Sequence, residues 1–502
     1  METSSLFSGS ITWNGEEIRN MPDLISFYQE RGYELAWTKD KNASELITAI
    51  NHSSDEGLWP EDYHSKIFEK YFFQNKKSTS EEILLDIFLS DAFLIYASHL
   101  HEGKVNPESL YPGKWERVIK RKPYVSILKE AIHQNSILSA FQNLKPQQGG
   151  YHQLKSQLKF FQSLEDSSCW PSLSIGKTIL CEDEDERIPD IRKRLQRFGF
   201  LQPFSPENPL RYDSGMLIAI INFQYQHGLK PDGVIGEQTQ LELNTPIETY
   251  LKKIIVNLER YRWMDEPVEN QSVVVNIPSF YLDVFSGREK RLSMKTIVGR
   301  PERSTPVLNQ EIRYIIINPT WTVPPTILKE DILPQIKKDI NFLKRNNLKV
   351  LDRKGEEVDP FNLNWESFTH KNFPYMLQQP PGDYNSMGLI KFQFPNEYKI
   401  FLHDTNKPTL FFENYRALSS GCIRVERPLH LAVFLLKESS WTEEKIRQAV
   451  SKNKTITIPL EKPFPIRIMY LTAWVDDQNF LQFRKDLYQL DERLFEALRK
   501  GP

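Results

Sequence analysis

The sequence predicts a multidomain α+β protein: a mainly helical N-terminal part, a small helical domain, and a β-rich C-terminal domain interrupted by a helical insertion. Three observations lead there. The chain has 502 residues, too many for one ordinary hydrophobic core and enough for about three domains. Apolar residues recur at helical spacing from about Pro22 to Phe161 and again from Arg187 to Leu243. After Trp263 the apolar period switches to two, as in Val273, Val275 and Ile277, then Ile400 and Leu402, then Ile466, Ile468 and Tyr470.

The first region is rich in Leu, Ile and Phe. Its most apolar stretch, Ile83 to Leu100, contains Asp86 and Asp91, each costly at a bilayer centre, so it reads as a helix buried inside a domain. His52, His64, His99 and His101 occur here without a nucleophile or ligand cluster, which makes them structural or solvent-exposed. Ser163 to Glu186 mixes Ser and Pro and closes on the acidic run Glu182–Glu186, a linker or surface loop with a solvated acidic face. In the next region Ile191, Leu195 and Phe198, then Met216, Ile220 and Phe223, mark two helices. Gly233 and Gly236 follow in Asp-Gly-Val-Ile-Gly and would permit the positive backbone angles of a tight loop.

Ile247 to Trp263 is an amphipathic connecting helix with Leu251, Ile254, Ile255 and Leu258 on one face. Within the β-rich part the helical period returns at Leu328, Ile332, Ile336, Ile340 and Leu343, followed by a loop-rich stretch to Tyr384. A helical insertion joining strands is an economical way to build a lid. A formal net charge of −2, with no strongly basic tract, gives no pull toward nucleic acid. No Cys/His cluster has zinc-site spacing, so neither a metal nor a cofactor is predicted. Met1 to Ser10 lacks the basic start and apolar core of a secretory signal.

The most informative stretch runs from His403 to Arg424. It holds Cys422, one of three cysteines, preceded by Ser419-Ser420-Gly421, with His403 closing a strand-like run upstream. A thiol is a strong nucleophile only as thiolate, and a nearby imidazole is the usual means of making one. The small residues let the backbone turn sharply, so amides near Ser420 to Cys422 could face a developing oxyanion. By themselves these residues also fit a buried structural cysteine and a strand-end histidine.

The segment resembles the signature of the L,D-transpeptidase catalytic family, with His403, Ser419, Gly421, Cys422, Ile423 and Arg424 on its positions. Ser420 stands where many relatives carry a second histidine, and Asp404 where many carry glycine. The Ser-Ser-Gly-Cys form resembles a branch with long chains and extra domains. Asn318-Pro319-Thr320-Trp321-Thr322-Val323-Pro324-Pro325, Ile297-Val298-Gly299-Arg300-Pro301 and Gly388-Leu389-Ile390-Lys391-Phe392 resemble further parts of that branch. The resemblance implies a helical scaffold domain over 18–168, a three-helix peptidoglycan-binding-like domain over 187–245, and a catalytic domain over 266–490 with a substrate-capping insertion over 325–388.

The same resemblance implies a peptidoglycan L,D-transpeptidase in the periplasm or cell envelope. Cys422 would attack the third residue of a tetrapeptide donor with His403 as base, release D-alanine, and pass the acyl group to a diamino-acid acceptor as a 3→3 cross-link. Ser419, Ser420 and Gly421 would form the oxyanion loop, Arg424 would orient that loop or meet a substrate carboxylate, and Trp321 would line the donor groove. A cysteine carboxypeptidase and a non-catalytic wall-binding protein are the competing readings. Docking of other wall-synthesis proteins is left open. In an oxidising compartment Cys169 and Cys181 would form a small-loop disulfide or remain unpaired linker cysteines.

Overall fold

The computed structural model describes residues 11–500 except 73, 75–76, 117–119, 166–171, 265–270 and 288. The chain parts into two compact units. One comprises 1–112, 117–267 and 471–502; the other comprises 113–116 and 268–470.

The first unit is helical. Its longest helix, Thr79–Glu102, opens on a capping box in which the Ser78 hydroxyl accepts from the Glu81 amide while the Glu81 carboxylate accepts from the Ser78 amide. By length and composition this helix could cross a membrane, but it is buried against its neighbours. The two aspartates explain why. Asp86 accepts from the amides of Ala36 and Trp37 and from the Tyr28 hydroxyl at 2.5 Å. Asp91 accepts from the amides of Arg19 and Asn20 and pairs with His64. These carboxylates tie the preceding loops to the core helix, a use that lipid would not allow. His99, bonded to Tyr63, is likewise structural.

Three further helices, Ile188–Arg197, Ser214–Gln226 and Glu237–Leu243, enclose a separate core of Ile188, Ile191, Leu195, Met216, Ile220, Phe223 and Leu243. Gly233 has φ +74°, a backbone conformation that favours glycine, and a Cβ there would displace the Leu217 methyl that lies 2.3 Å away. Gly236 differs from expectation: its φ is −81°, because it serves as the extended N-cap of the last helix. The acidic run is not merely solvated. Asp185 pairs with Arg187 and Glu182 with Arg211. Cys169 lies outside the described residues, and the disulfide expectation with it; Cys181 sits 3.7 Å from the Tyr212 carbonyl.

The tail corrects the expected end of the catalytic domain at 490. From Leu471 the chain belongs to the helical unit, because its polar groups are satisfied there. The Thr472 amide donates to Asn257, Arg260 pairs with Asp491 at 2.6 Å, and Tyr111 donates to the Leu490 carbonyl.

The second unit is built on nine described strands: β1 Gln271–Asn276, β2 Tyr281–Ser286, β3 Glu289–Gly299, β4 Leu308–Ile317, β5 Ile390–Gln393, β6 Leu402–His403, β7 Ala417–Ser419, β8 Ile423–Val425 and β9 Ile456–Met469. Their order is β7-β3-β8-β6-β5-β4-β9-β1-β2, and β2 also pairs with β3, so the sheet closes on itself. Most pairs are antiparallel, but β6 runs parallel to β8. Ile315, Ile317, Ile390, Phe392, Leu402, Ile423 and Val425 fill the inner face.

Between β4 and β5 lies the insertion. It has its own three-stranded sheet, of Trp321–Thr322, Lys349–Leu351 and Met376–Gln379. Its own core includes Ile332, Ile336, Leu343, Val350, Trp365 and Leu377.

Candidate active site

The register of three strands places the site. Lys391 on β5 is opposite His403 on β6, and His403 is opposite Arg424 on β8. Cross-strand partners share a face, as do residues two apart on one strand. Lys391, His403, Arg424, Phe401 and Cys422 therefore share the outer face, while Phe392, Leu402 and Ile423 point into the core. Cys422 immediately precedes β8, and the Ile423 amide donates to the Phe401 carbonyl at 3.1 Å, which holds the Cys422 loop against β6.

The loop before Cys422 is locked by its own side chains. The Ser419 hydroxyl donates to the Cys422 carbonyl at 2.5 Å and accepts from the Gly421 amide at 3.1 Å. Thr305 accepts from the Gly299 amide and donates to the Gly421 carbonyl at 2.7 Å. Gly421 adopts φ +113°, where an L side chain is strained, and a Cβ there would meet Ile400 at 3.2 Å. One expectation is corrected here: the Gly421 amide is already engaged by Ser419, so it is not a spare oxyanion donor. The amides of Ser420 and Cys422 have no hydrogen-bond partner among the described residues.

Charge at this face is unbalanced. Among the described residues, neither Lys391 nor Arg424 forms a salt bridge or a side-chain hydrogen bond; the Lys391 ammonium instead lies 3.9 Å from the Phe401 ring centroid. Arg424 Nε is buried and unpartnered, and so is His403 Nδ1. Burial, with the Arg424 and Lys391 charges, drops the His403 imidazole to about 3, although backbone groups of Asp404 and Met387 oppose the shift. Burial raises the Cys422 thiol to about 11 despite the two nearby cations. Both shifts favour a neutral thiol and a neutral imidazole. No hydrogen bond joins them in this structure; Sγ lies 3.8 Å from the Lys399 carbonyl.

Arg303 couples this loop to the insertion. Its guanidinium donates to Ser420 Oγ at 2.9 Å, to Asp331 at 2.5 Å and to Glu330 at 2.5 Å, with its side chain only 8% exposed. Asp331 and Glu330 lie on a π-helical turn, Leu328–Ile332, at the base of the insertion. At the other end, the Asp404 carboxylate accepts from the Leu389 amide at 2.9 Å and abuts Gly388, whose φ is +62°. Asp404, where glycine is common in the resembled family, thus closes the turn by which the chain returns to β5.

The structure brings Cys422, His403, Arg424 and the Ser419–Gly421 loop together. It places Trp321 in the insertion's sheet, packed against that segment's core. Lys391 and Arg303 escaped sequence reasoning. A lone lysine in an alternating strand and an arginine in a Pro-rich turn both look like surface residues until pairing is known.

The description "L,D-transpeptidase catalytic domain" matches residues 270–447. "Scaffold domain" matches 22–158 and "Putative peptidoglycan binding domain" matches 184–242. Residues 270–447, which hold Arg303, Lys391, His403, Cys422 and Arg424, are thus similar to an L,D-transpeptidase catalytic domain. A protein of Haemophilus influenzae named "Putative L,D-transpeptidase" is 37% identical over 243 residues, covering 48% of this chain and 49% of that one. The chain therefore spans about half the length of this curated relative.

Solved structures of an L,D-transpeptidase from Xylanimonas cellulosilytica and one from Stackebrandtia nassauensis are each 11% identical. They cover 59% and 60% of this chain and 98% and 97% of their own, with TM-scores of 0.19 and 0.22. Superpositions that poor carry no argument about the transpeptidase fold. The similarity to L,D-transpeptidases rests on the matched segment 270–447 and on the Haemophilus influenzae relative.

Proposed function

We propose that the protein is a peptidoglycan L,D-transpeptidase of the cell envelope that forms 3→3 cross-links through a Cys422 thioester. The observation that carries this reading is the register that sets Cys422, His403 and two unpaired cations on one sheet face.

His403 takes the thiol proton as Cys422 Sγ bonds to the carbonyl carbon of the donor's third residue. The Ser420 and Cys422 amides receive the oxyanion. As the C–N bond breaks, the imidazolium returns the proton to the departing D-alanine nitrogen. The side-chain amine of a second stem peptide then attacks the thioester; a C–N bond forms, the C–S bond breaks, and Cys422 recovers a proton through the imidazole. Asn341–Arg345 and the rest of the 325–388 insertion act as a cap that limits water, favouring aminolysis over hydrolysis. The segment matching a peptidoglycan-binding domain supports a wall polymer as the substrate.

Incubation with purified disaccharide-tetrapeptide, with Cys422→Ala in parallel, tests the proposal by product mass. A cross-linked dimer lacking one D-alanine, absent from the variant, supports it. Tripeptide alone moves the reading to a carboxypeptidase, and product formation by Cys422→Ala overturns the role of the thiol.

A further inference from the structure

We infer that Lys391 is a specificity-determining residue whose ammonium receives the carboxylate of the D-amino acid leaving the donor. This rests on the transpeptidase reading and adds a residue and a recognised group to it.

The geometry comes from the strand order. β6 lies between β8, which follows the nucleophile, and β5, which carries Lys391. In the reaction the leaving nitrogen must sit beside His403, the group that protonates it. A substrate extending from Cys422 past His403 is therefore heading toward Lys391. The leaving carboxylate is attached one carbon beyond that nitrogen, and neighbouring strands are only about 4.8 Å apart. Arg424 stands on the nucleophile's own strand, on the other side of the imidazole, and is left for the retained part of the donor or for the loop.

The charge state of the face agrees. A half-buried cation without a carboxylate partner is unfavourable unless an anion arrives to pair with it, and no acidic side chain among the described residues supplies one. Burial holds Lys391 below its ordinary value, with the Cys422 sulfur the opposing influence. Lys391 also contributes to the low affinity of His403 for protons. Pairing Lys391 with a carboxylate cancels that contribution. The imidazole thus becomes a better base when the correct donor is in place.

The test compares a tetrapeptide donor ending in a free carboxylate with the same peptide ending in a carboxamide. D-alanine or D-alaninamide release is measured for the wild type, Lys391→Met and Lys391→Arg, with folding checked by thermal unfolding. The wild type should prefer the acid by roughly tenfold or more in kcat/KM, the usual range for a charge-assisted hydrogen bond. Lys391→Met should lose most of its rate on the acid and little on the amide, and Lys391→Arg should restore part of the preference. Equal losses on both peptides would overturn the inference and assign Lys391 to the thiolate or to packing. A wild type that takes acid and amide equally overturns it without any variant, so a poorly folded Lys391→Met does not leave the question open. Release from neither peptide would bring down the transpeptidase reading itself, and this inference with it.

Discussion

Buried charge is treated in opposite ways in the core of the helical unit and on the sheet face that carries Cys422. In the helical unit Arg262 and Glu259 are both fully buried and joined at 2.7 Å, and Arg262 also donates to the Glu56 carbonyl and the Tyr151 hydroxyl. His64 is held between Glu16 at 2.7 Å and Asp91 at 2.8 Å. On the sheet face that carries Cys422, Lys391 and Arg424 have no such partners among the described residues, and His403 Nδ1 is left without a hydrogen bond. A charge taken out of water with its counter-ion holds a structure together. One taken out without it marks where a reacting anion belongs.

The most severe test of that contrast is a pair of substitutions read by urea unfolding. Glu259→Gln leaves the Arg262 charge buried with its counter-ion gone, and breaking such a pair costs about 3–5 kcal/mol. Lys391→Met removes a cation with no carboxylate partner among the described residues, so stability should change by less than about 1 kcal/mol while donor turnover falls. Comparable destabilisation by both would show that Lys391 is structural and would break the comparison.

Gly421→Ala should act next most strongly. It forces a side chain into φ +113° against Ile400, costing roughly 1–3 kcal/mol. Displacement of the amides beside Cys422 should reduce turnover about a hundredfold, since small misplacements at a reacting centre have effects of that order. Unaltered turnover would mean that the loop is not the oxyanion site.

A smaller effect is expected at Arg303, whose side chain bonds both the Cys422 loop and the insertion. Arg303→Ala should make residues 325–388 more open to limited proteolysis and raise the share of hydrolysed over cross-linked product. Lysine should not rescue it, because only a planar fork reaches Ser420, Asp331 and Glu330 at once. An unchanged proteolysis pattern would separate the insertion from any capping role.

These residues also show what the sequence could and could not reveal. Cys422, His403 and Arg424 were legible because they fall within one short signature, and the strands because their alternation is local. Asp86 and Asp91 correctly argued against a membrane helix, although their partners could not be named. Lys391 was hidden because its meaning depends on pairing β5 with β6 and β6 with β8, and register across separate strands leaves no mark at one position. The tail from Leu471 was misassigned for a related reason. Its alternating residues look like more of the preceding β-rich domain, whereas its polar groups answer Asn257 and Arg260, more than 200 positions earlier.

The contrast sharpens further with pH, where the smallest effect is expected and the signs differ between two histidines. Burial opposes protonation of His64, but its bonds to Asp91 and Glu16 outweigh that and raise its pKa above the usual value. Its stabilising pairing is complete below the unfolded value of about 6.5 and is lost as pH rises through the raised folded value. His403 is the reverse: lowered to about 3, it contributes stability above pH about 6.5 that is lost as the medium becomes acid. The stability gap between wild type and His64→Gln should therefore narrow on going from pH about 6 to alkaline conditions, as read by urea midpoints. For His403→Gln the gap should shift against the wild type on going from neutral pH toward about 4, because the unfolded wild-type chain takes up a proton at this position while burial and the flanking cations keep the folded imidazole neutral. If both gaps moved in the same direction, the His64 and His403 sites would not differ in how they hold charge.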